Sequence, residues 1–515
     1  DQTSKVLDAK NLPDLPNVLP GTDAEDFTFF TAVSVAPDDP NFVVVAGWSW
    51  DEAAVSGDNY LPVVVGSNDG ASKFNYMGCS TVTGMITCVD VSMEIDDSHS
   101  IALGTWDWEF ESPAGPAAPV PGYANDLGKV WRYDAGGYWS AYWADTSTYD
   151  GWRDVDAVVD VEFSPNFDVD DAVIALCIGD VNDDDAQLFA DSGADADAVP
   201  DYAGYLIQGG VWDSIDGWNV DAEFDSYPVV ISNDDYVIVS PIDVNVGSGW
   251  DAIGALVRHS GDLDLPYDYM ADDSSDRKMM VAVNGVEVNL TDSPDSWVDD
   301  GGFLFWIENT TISLEMLDHE DNPYISTIDY SGNIDMEGRT LVGLAFPKTW
   351  RYAEIMTWFN SSSDVLSLPC CAGVPVLRSE TTDVCCPDWD WACKPPSGQF
   401  LATVMMDPDG EFAYAGTMGE SYLWGYHGVG MWADESAWSV SGHEGDLGNA
   451  WNQSGLIDTD IDFIADVAVA SDSAGAGACA SACSCVYIGT INSGYYAEEE
   501  NKVGDCDSIW RMCST

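Results

Sequence analysis

Basic residues are scarce in this 515-residue chain. It has 16 Lys and Arg against 90 Asp and Glu, which gives a formal net charge of −74 at pH 7. A field of that sign repels the phosphates of nucleic acids and anionic lipid headgroups, so neither is an expected partner. The chain also lacks any uninterrupted apolar run of roughly 18 residues or more, and no membrane span is therefore predicted.

Histidines and the compact motifs of common enzymes are equally sparse. The five histidines are scattered without H-x-x-x-H spacing, and neither a nucleophile elbow nor a phosphate-binding loop is present. Of eight arginines, four recur at one place in a repeated phrase, which indicates a structural role: Arg132, Arg258, Arg378 and Arg511. We predict that the chain is not an enzyme. Glycoside hydrolysis is the alternative, because among 90 acidic residues some pair must have a suitable separation.

A short phrase that recurs seven times is the strongest positive signal. Each copy is an apolar strand, a turn rich in Asp, Pro, Ser or Gly, and a second apolar strand. The copies begin at Val33, Val89, Val159, Val229, Ser326, Val404 and Val467. A third strand phrase follows each copy, at 63–69, 129–134, 209–216, 255–262, 375–383, 430–436 and 508–515. Units this small must stack to bury their faces, so the spacing predicts an all-β fold, a seven-bladed β-propeller.

The turns after two of these third strands share a spacing. Ser67-x-Asp69-x-Ala71-x-x-Phe74 and Asp134-x-Gly136-x-x-Trp139 both fit S-x-D-x-G-x-x-W. An Asp in such a turn accepts backbone N–H bonds, Gly allows a left-handed conformation, and the aromatic ring packs between blades. The spacing resembles the Asp-box of sialidase-type (BNR-repeat) β-propellers. No motif groups the three arginines of a sialidase site, so the resemblance covers the architecture. It implies an exported protein similar to those of bacterial and archaeal surface layers and sheaths.

The domain organisation follows from where the repeat starts and where it breaks. Residues 1–30 are irregular, with three spaced prolines, and predict an extended N-terminal arm; the propeller then occupies 31–515, with its fourth blade over 225–268. The segment 270–322 departs from the repeat and is either a β insertion or an eighth blade. Its Asn284-Gly285 pair predicts a tight hairpin turn. The last copy ends at 508–515, where either the arm completes the blade or the natural chain continues.

Thirteen cysteines indicate an oxidising, extracellular compartment. Cys79 and Cys88 flank a short connection and are candidates to close it as a disulfide. Cys177 lies in an apolar strand and is predicted to be a buried thiol. Ten others form two clusters whose spacing does not match common zinc sites, and we expect most of them to be oxidised. These are Cys370, Cys371, Cys385, Cys386 and Cys393, and then Cys479, Cys483, Cys485, Cys506 and Cys513.

Asp greatly outnumbers Glu, which indicates that most acidic side chains lie in turns. Three interpretations compete: these aspartates cap turns, hydrate the surface or bind cations. A chain of this charge is expected to need counter-cations, with Ca²⁺ first because hard oxygen ligands suit it. Three short runs are candidate ligands, each with a solvated turn as the alternative: Asp168, Asp170 and Asp171; Asp180, Asn182 and Asp184; and Asp458, Asp460 and Asp462.

Four N-x-S/T triplets are candidate glycosylation sites in a secreted chain: Asn289, Asn309, Asn360 and Asn452. Together these features predict a non-catalytic structural protein at the cell surface. Its expected partners are copies of itself in a layer, sheath or filament, held by Ca²⁺. The alternative is a glycan-binding or glycan-cleaving propeller, for which W-x-W pairs such as Trp48 and Trp50 offer stacking surfaces.

Overall fold

The computed structural model of the chain consists almost entirely of strands, which confirms the all-β prediction. Within the described residues there are thirty strands and a single one-turn helix. The residues described are 3–7, 27–50, 60–79, 81–106, 128–134, 144–145, 155–180, 203–211, 229–230, 232–233, 236–239, 261–271, 273–289, 297–309, 311–315, 324–331, 339–345, 376–379, 390–392, 400–406, 413–418, 422–426, 451–456, 463–471, 484–491 and 509–513.

The strands form seven antiparallel groups, which we call sheets; one residue pair links the second to the third, Ala157 with Trp106, and one links the sixth to the last, Met418 with Phe463. In the first two sheets each strand pairs with the next along the chain. Their runs of Val, Ile and aromatic residues suit a pleated surface that is packed on both faces. A separate short strand, β1 (Thr3–Leu7), precedes them. The first sheet is β2 (Phe27–Val35), β3 (Val43–Trp50), β4 (Tyr60–Ser67) and β5 (Asn75–Tyr76). The second is β6 (Met85–Val91), β7 (Ser100–Trp106), β8 (Val130–Asp134) and β9 (Ala144–Asp145).

The third and fourth sheets are joined through a short hairpin. The third comprises β10 (Val155–Phe163), helix α1 (Phe167–Asp170), β11 (Ala172–Asp180), β12 (Ala203–Val211) and β13 (Val229–Val230). The hairpin is β14 (Ser232–Asn233) and β15 (Tyr236–Val239). The fourth sheet is β16 (Gly261–Asp264), β17 (Lys278–Asn289), β18 (Trp297–Glu308) and β19 (Thr311–Glu315). β15 pairs with both β12 and β17, so the hairpin bridges the two sheets.

The segment 270–322 contributes three strands to the sheet that begins at β16. β17, β18 and β19 all lie within it, and β17 pairs with β16. The hairpin turn predicted at Asn284-Gly285 is wrong. Both residues lie inside β17, opposite Gly302 and Gly301 of β18. Continuous pairing with β18 outweighs the local turn preference of Asn-Gly here, because a tertiary partner supplies bonds along the whole strand.

The last three sheets return to the simple order. They are β20 (Tyr324–Ser331), β21 (Arg339–Ala345), β22 (Val376–Ser379) and β23 (Asp390–Ala392); then β24 (Phe400–Met406), β25 (Ala413–Met418), β26 (Tyr422–Tyr426) and β27 (Trp451–Leu456); and finally β28 (Phe463–Ser471), β29 (Ser484–Ile491) and β30 (Ile509–Cys513). β1 pairs antiparallel with β30, with Thr3 opposite Cys513 and Leu7 opposite Ile509. Residues from the predicted arm thus add a fourth strand to the last sheet.

Five of the seven predicted third-strand phrases lie next to the preceding hairpin, as expected. β4, β8, β12, β22 and β30 each pair with the second strand of their own hairpin. The phrase at 430–436 lies outside the described residues, and β26 occupies the third place in that sheet. The phrase at 255–262 is described only at its last two residues, which begin β16.

The first strands of the sheets lie side by side, giving a β-propeller-like arrangement. β2 contacts β6 and β28, β10 contacts β6 and β16, and β20 contacts β16 and β24, which in turn contacts β28. The core lies between adjacent sheets. One apolar cluster joins the first sheet to the second, another joins the second to the third, and a third joins the first to the last. Gly104 allows the second and third sheets to approach, because a Cβ there would lie 2.6 Å from Val158 Cγ1 of β10.

Candidate functional site

A repeated irregularity marks one position in the first strands. Six of them, all except β16, contain a β-bulge that skips one residue in the pairing with the second strand. The residues immediately after the bulge are Ala32, Cys88, Asp160, Thr327, Thr403 and Asp466. A bulge bends the strand and changes the direction of its side chains. In these sheets the residue after the bulge can therefore point towards the next sheet.

Aspartates at this position bind the backbone of the following sheet. Asp160 Oδ2 accepts the N–H of Leu263 at 3.0 Å, and Asp466 Oδ2 accepts the N–H of Val33 at 2.7 Å. In each case Oδ1 accepts the N–H of the residue next to the Asp itself, at 2.9 Å. Asp262 of β16 makes the equivalent bond to Ile328 N–H at 2.6 Å. The carboxylates therefore satisfy amides on strands that have no further strand of their own sheet beyond them.

The side chain two residues beyond the bulge position also accepts a backbone N–H from the next sheet, but its type differs from sheet to sheet. Asp90 accepts the Phe163 N–H at 2.8 Å and the Ser34 hydroxyl at 3.0 Å, and so connects three successive sheets. In β24 the equivalent residue is Met405, whose sulfur accepts the Val469 N–H at 3.3 Å. A thioether is a much weaker acceptor than a carboxylate. The junctions between sheets are thus chemically unequal.

Carboxylates crowd where β6, β10 and β16 meet. Burial raises the pKa of Glu162 well above its usual value, and the nearby charge of Asp264 raises it further, followed by Asp160, Asp90 and Asp262. Burial likewise raises the pKa of Asp90 to about 6, against the lowering effect of its bonds to Phe163 and Ser34. Glu162 consequently favours the protonated state among neighbours that accept hydrogen bonds. This cluster is the candidate functional site.

The cluster was not predicted from the sequence, although its signal was visible. The repeated phrase reads VDV at 89–91 and VDVEF at 159–163, so an Asp recurs in the first strand, although Asp160 directly follows the bulge and Asp90 lies two residues beyond that position. The pairing of Asp160 with Leu263 spans 103 residues and that of Asp466 with Val33 spans 433. An alignment of the hairpins could have identified these aspartates from the sequence, but it could not have identified the amides that they bind.

In the predicted calcium run at 168–171, Asp170 has a structural role. Asp170 is buried, and its carboxylate accepts the Ser164 hydroxyl and the N–H groups of Ala172 and Ala271. Asp168 and Asp171 are exposed. No three His, Cys, Asp or Glu residues within the described ranges are grouped to hold a metal ion. Asp170 therefore fixes the turn around α1 to the 266–271 loop, and a three-ligand site is not assembled there.

The other predicted calcium ligands lie almost entirely elsewhere. Asp180 is the last residue of β11. Asn182, Asp184, Asp458, Asp460 and Asp462 lie outside the described residues.

The predicted Cys79–Cys88 disulfide is wrong. Both residues are buried thiols. Cys79 belongs to the apolar cluster between the first and second sheets, where its thiol donates to the Pro62 carbonyl at 2.9 Å. Cys88 belongs to the cluster on the other side of the second sheet. Sequence proximity did not reveal that the second sheet separates the two side chains.

Cys177 is a buried thiol, as predicted, and burial raises its pKa, as it does for Cys79. Cys485 and Cys513 stand opposite one another in the β29–β30 register. The remaining eight candidates lie outside the described residues: Cys370, Cys371, Cys385, Cys386, Cys393, Cys479, Cys483 and Cys506.

The first predicted Asp-box turn has the expected local bonds. Asp69 Oδ1 accepts the Lys73 N–H at 2.9 Å and the Ser67 hydroxyl at 2.8 Å. Ser67 Oγ in turn accepts the Ala71 N–H at 2.9 Å. Ala71, at the glycine position of the motif, has a φ of 59°, and Phe74 is buried in the cluster between the first and last sheets. Asp134 ends β8, whereas Gly136 and Trp139 lie outside the described residues.

Arg277 and three of the four candidate glycosylation sites lie within the described residues. Arg277 is buried and donates to the Ala271 carbonyl and to Asn309 Oδ1, so it is committed to the fold. That contact also engages Asn309, one of the candidate glycosylation sites. Asn289 ends β17 and Asn452 lies in β27, while Asn360 is outside the described residues. Across the part of the chain described, no helix is long and apolar enough to cross a membrane.

Comparison with known proteins gives no family. No protein-family profile and no curated protein matches the sequence. Among solved structures, the chain is similar to an acylaminoacyl peptidase of Pyrococcus horikoshii, with 8% identity, a TM-score of 0.38 and coverage of 90% of this chain and 51% of the peptidase. The chain thus spans about half of the peptidase's length. It is also similar to Sqt1 from Chaetomium thermophilum, with 9% identity, a TM-score of 0.34 and coverage of 78% and 82%.

Proposed function

We propose that the chain closes into a seven-bladed β-propeller whose first strands are β2, β6, β10, β16, β20, β24 and β28. Support comes from the contact of each first strand with the next and from the Asp466–Val33 bond, which joins the last sheet to the first. In this arrangement 270–322 supplies the outer strands of the fourth blade. An experimental density map that showed eight blades, or an open arc, would overturn it.

We propose further that the protein is a non-catalytic structural subunit at the cell surface, assembled from copies of itself in a layer, sheath or filament. The observation that carries this proposal is the use of acidic side chains. Asp90, Asp160, Asp262 and Asp466 hold neighbouring sheets together through backbone amides, which is a structural use of acid. The net charge of −74 then requires compensation before subunits can pack.

Calcium is the proposed source of that compensation. Divalent cations between acidic surfaces replace repulsion with attraction, and screening alone acts only over about 8 Å at physiological salt. The Asp180–Asp184 and Asp458–Asp462 runs remain the proposed ligands. Electron microscopy of the purified chain should show a repeating assembly with Ca²⁺ and its loss in excess chelator. Dispersed single subunits under both conditions would refute the structural role, and an assembly that resists chelator would refute the role of calcium.

Glycoside hydrolysis is a second candidate because of one observation. Glu162 has a strongly raised pKa beside Asp264 and Asp160, and a protonated carboxyl next to ionised ones is what an acid/base pair requires. The commitment of Arg277 to backbone contacts argues against a sialidase-type arginine cluster that includes it. Release of fluorophore from a panel of aryl glycosides, lost in Glu162→Gln and kept in Asp273→Asn, would establish the enzyme. No turnover by the native chain would exclude it for that panel.

A further inference from the structure

The edge of the last sheet is covered by a strand from far away in the sequence. β1 pairs with β30 over five residues, from Thr3 opposite Cys513 to Leu7 opposite Ile509. An uncovered β30 would present a row of unpaired N–H and C=O groups, which is a template for any strand of matching sequence. The edge is therefore an acceptor for the segment 3–7.

The connection that follows β1 is longer than five of its six counterparts; the sixth, 231–260, has thirty residues and contains the β14–β15 hairpin. Five other connections run from the fourth strand of one sheet to the first strand of the next, at 77–84, 146–154, 316–323, 393–399 and 457–462, and each has six to nine residues. The connection from β1 to β2 covers 8–26, which is nineteen residues. This connection also runs from the fourth strand of one sheet to the first strand of the adjacent sheet, because the Asp466–Val33 bond shows that the last and first sheets are adjacent. Nineteen residues can span at most roughly 65 Å, about twice the reach of the five short connections.

The length and the charges of β1 also make its pairing with β30 weak. The strand is only five residues long, and Lys5 stands opposite Arg511 in the register. Like charges directly opposite one another destabilise an antiparallel pair, and a short edge strand contributes few ladder bonds. Exchange of this strand for an identical one costs nothing in bonding, because the same register forms with either copy.

We propose that β1 exchanges between copies, so that residues 3–7 of one subunit complete the last sheet of a neighbour. This inference rests on the proposed self-assembly, and it identifies β1 and β30 as the contact between subunits. The donor segment and the acceptor edge are different surfaces of one chain, so the contact is heterologous and propagates into a filament, or closes as a ring. The extra length of 8–26 supplies the reach, and the neighbour contributes a strand without which the sheet edge is bare.

The test is site-directed disulfide trapping between two full-length variants. Lys5→Cys is mixed with Arg511→Cys under assembling conditions, with oxidised glutathione as oxidant; the two thiols become one disulfide as glutathione is reduced to its thiol. Exchange gives a reducible band at twice the subunit mass on a non-reducing gel. The control replaces Arg511→Cys by Ser471→Cys, which puts the thiol on β28, two strands from β30. Each variant alone shows what the native cysteines contribute.

The outcomes separate this inference from the proposed function. If the mixture of Lys5→Cys and Arg511→Cys stays monomeric while the particles are visible by microscopy, strand exchange is overturned and the structural role stands. If no particles form, the structural role itself is overturned. Val6→Pro provides a second measurement, because proline cannot maintain a strand ladder, and it should abolish assembly, whereas Asp8→Pro beyond β1 should not. Assembly by Val6→Pro as extensive as by the native chain would also overturn exchange.

Discussion

Two junctions between sheets use the same bond in different surroundings. Where β28 meets β2, the buried Asp466 accepts the N–H of Val33, which belongs to an apolar cluster with Ala468 and Tyr487. Where β10 meets β16, Asp160 holds Leu263, but Glu162 and Asp264 lie close by. The first junction concentrates its polar stabilisation in one buried carboxylate. The second distributes it over a cluster whose charges repel one another.

The difference teaches that neighbouring carboxylates with raised pKa values make a junction sensitive to pH. A bond accepted by a carboxylate adds stability as long as that carboxylate stays ionised. In the cluster, each further ionisation costs energy, so Glu162 and Asp90 retain protons that exposed carboxylates would release. The two junctions should therefore respond differently to substitution and to pH.

The largest effect is expected at the junction of β28 with β2. Asp466→Ala leaves the buried N–H groups of Val33 and Val467 without their acceptors, and should lower the free energy of unfolding by about 3 kcal/mol. Chemical denaturation measures the loss. Asp466→Asn is the matched control, since its single carbonyl oxygen keeps one acceptor and should lose less. Equal losses in the two variants would contradict the role assigned to the second bond.

The next effect concerns Glu162. Its raised pKa means that the folded state binds more protons than the unfolded state at pH values above the usual glutamate pKa. Stability should then fall as pH rises from that value through the raised pKa. Glu162→Gln removes the titration, and should be more stable than the native chain at pH 8 and about equal to it at pH 4. Parallel curves of unfolding free energy against pH for the native chain and Glu162→Gln would contradict this prediction.

Asp90 should show a smaller version of the same effect. Its pKa of about 6, against an ordinary 3.8, confines the stability loss to the interval between those values. Asp90→Asn keeps an acceptor for Phe163 and should gain about 1 kcal/mol over the native chain above pH 6, since partial exposure reduces the full penalty. Melting temperatures of the two proteins at pH 4 and pH 7 test this, and an Asn variant that is less stable at pH 7 would refute it.

The smallest effect is expected where sulfur replaces the carboxylate. Met405→Leu removes the acceptor for Val469 N–H but preserves most of the volume, and should cost less than about 1 kcal/mol. Denaturation under the conditions used for Asp466→Ala gives the comparison. A loss as large as that of Asp466→Ala would show that the bond, and not the charge, sets the strength of a junction.

Local features were predictable where their bonds are local. The Ser67–Asp69 turn depends on contacts that span at most four residues, and its spacing alone identified it. Third strands such as β4 and β8 were also placed correctly, because a strand that closely follows a hairpin pairs with it. The Asn284-Gly285 turn failed because its signal is local and weak, whereas pairing with β18 extends along the whole strand.

The sequence by itself determined six of the seven hairpins of the repeat and the presence of an Asp in several of their first strands, because alternation and turn chemistry are written over a few neighbouring residues. Tertiary structure alone decided which amide each Asp binds, that the second sheet separates Cys79 from Cys88, and that β1 covers β30. Those outcomes depend on which faces and edges come together after long loops close. Loop closure is governed by the packing of whole sheets, and no short segment of the chain encodes it.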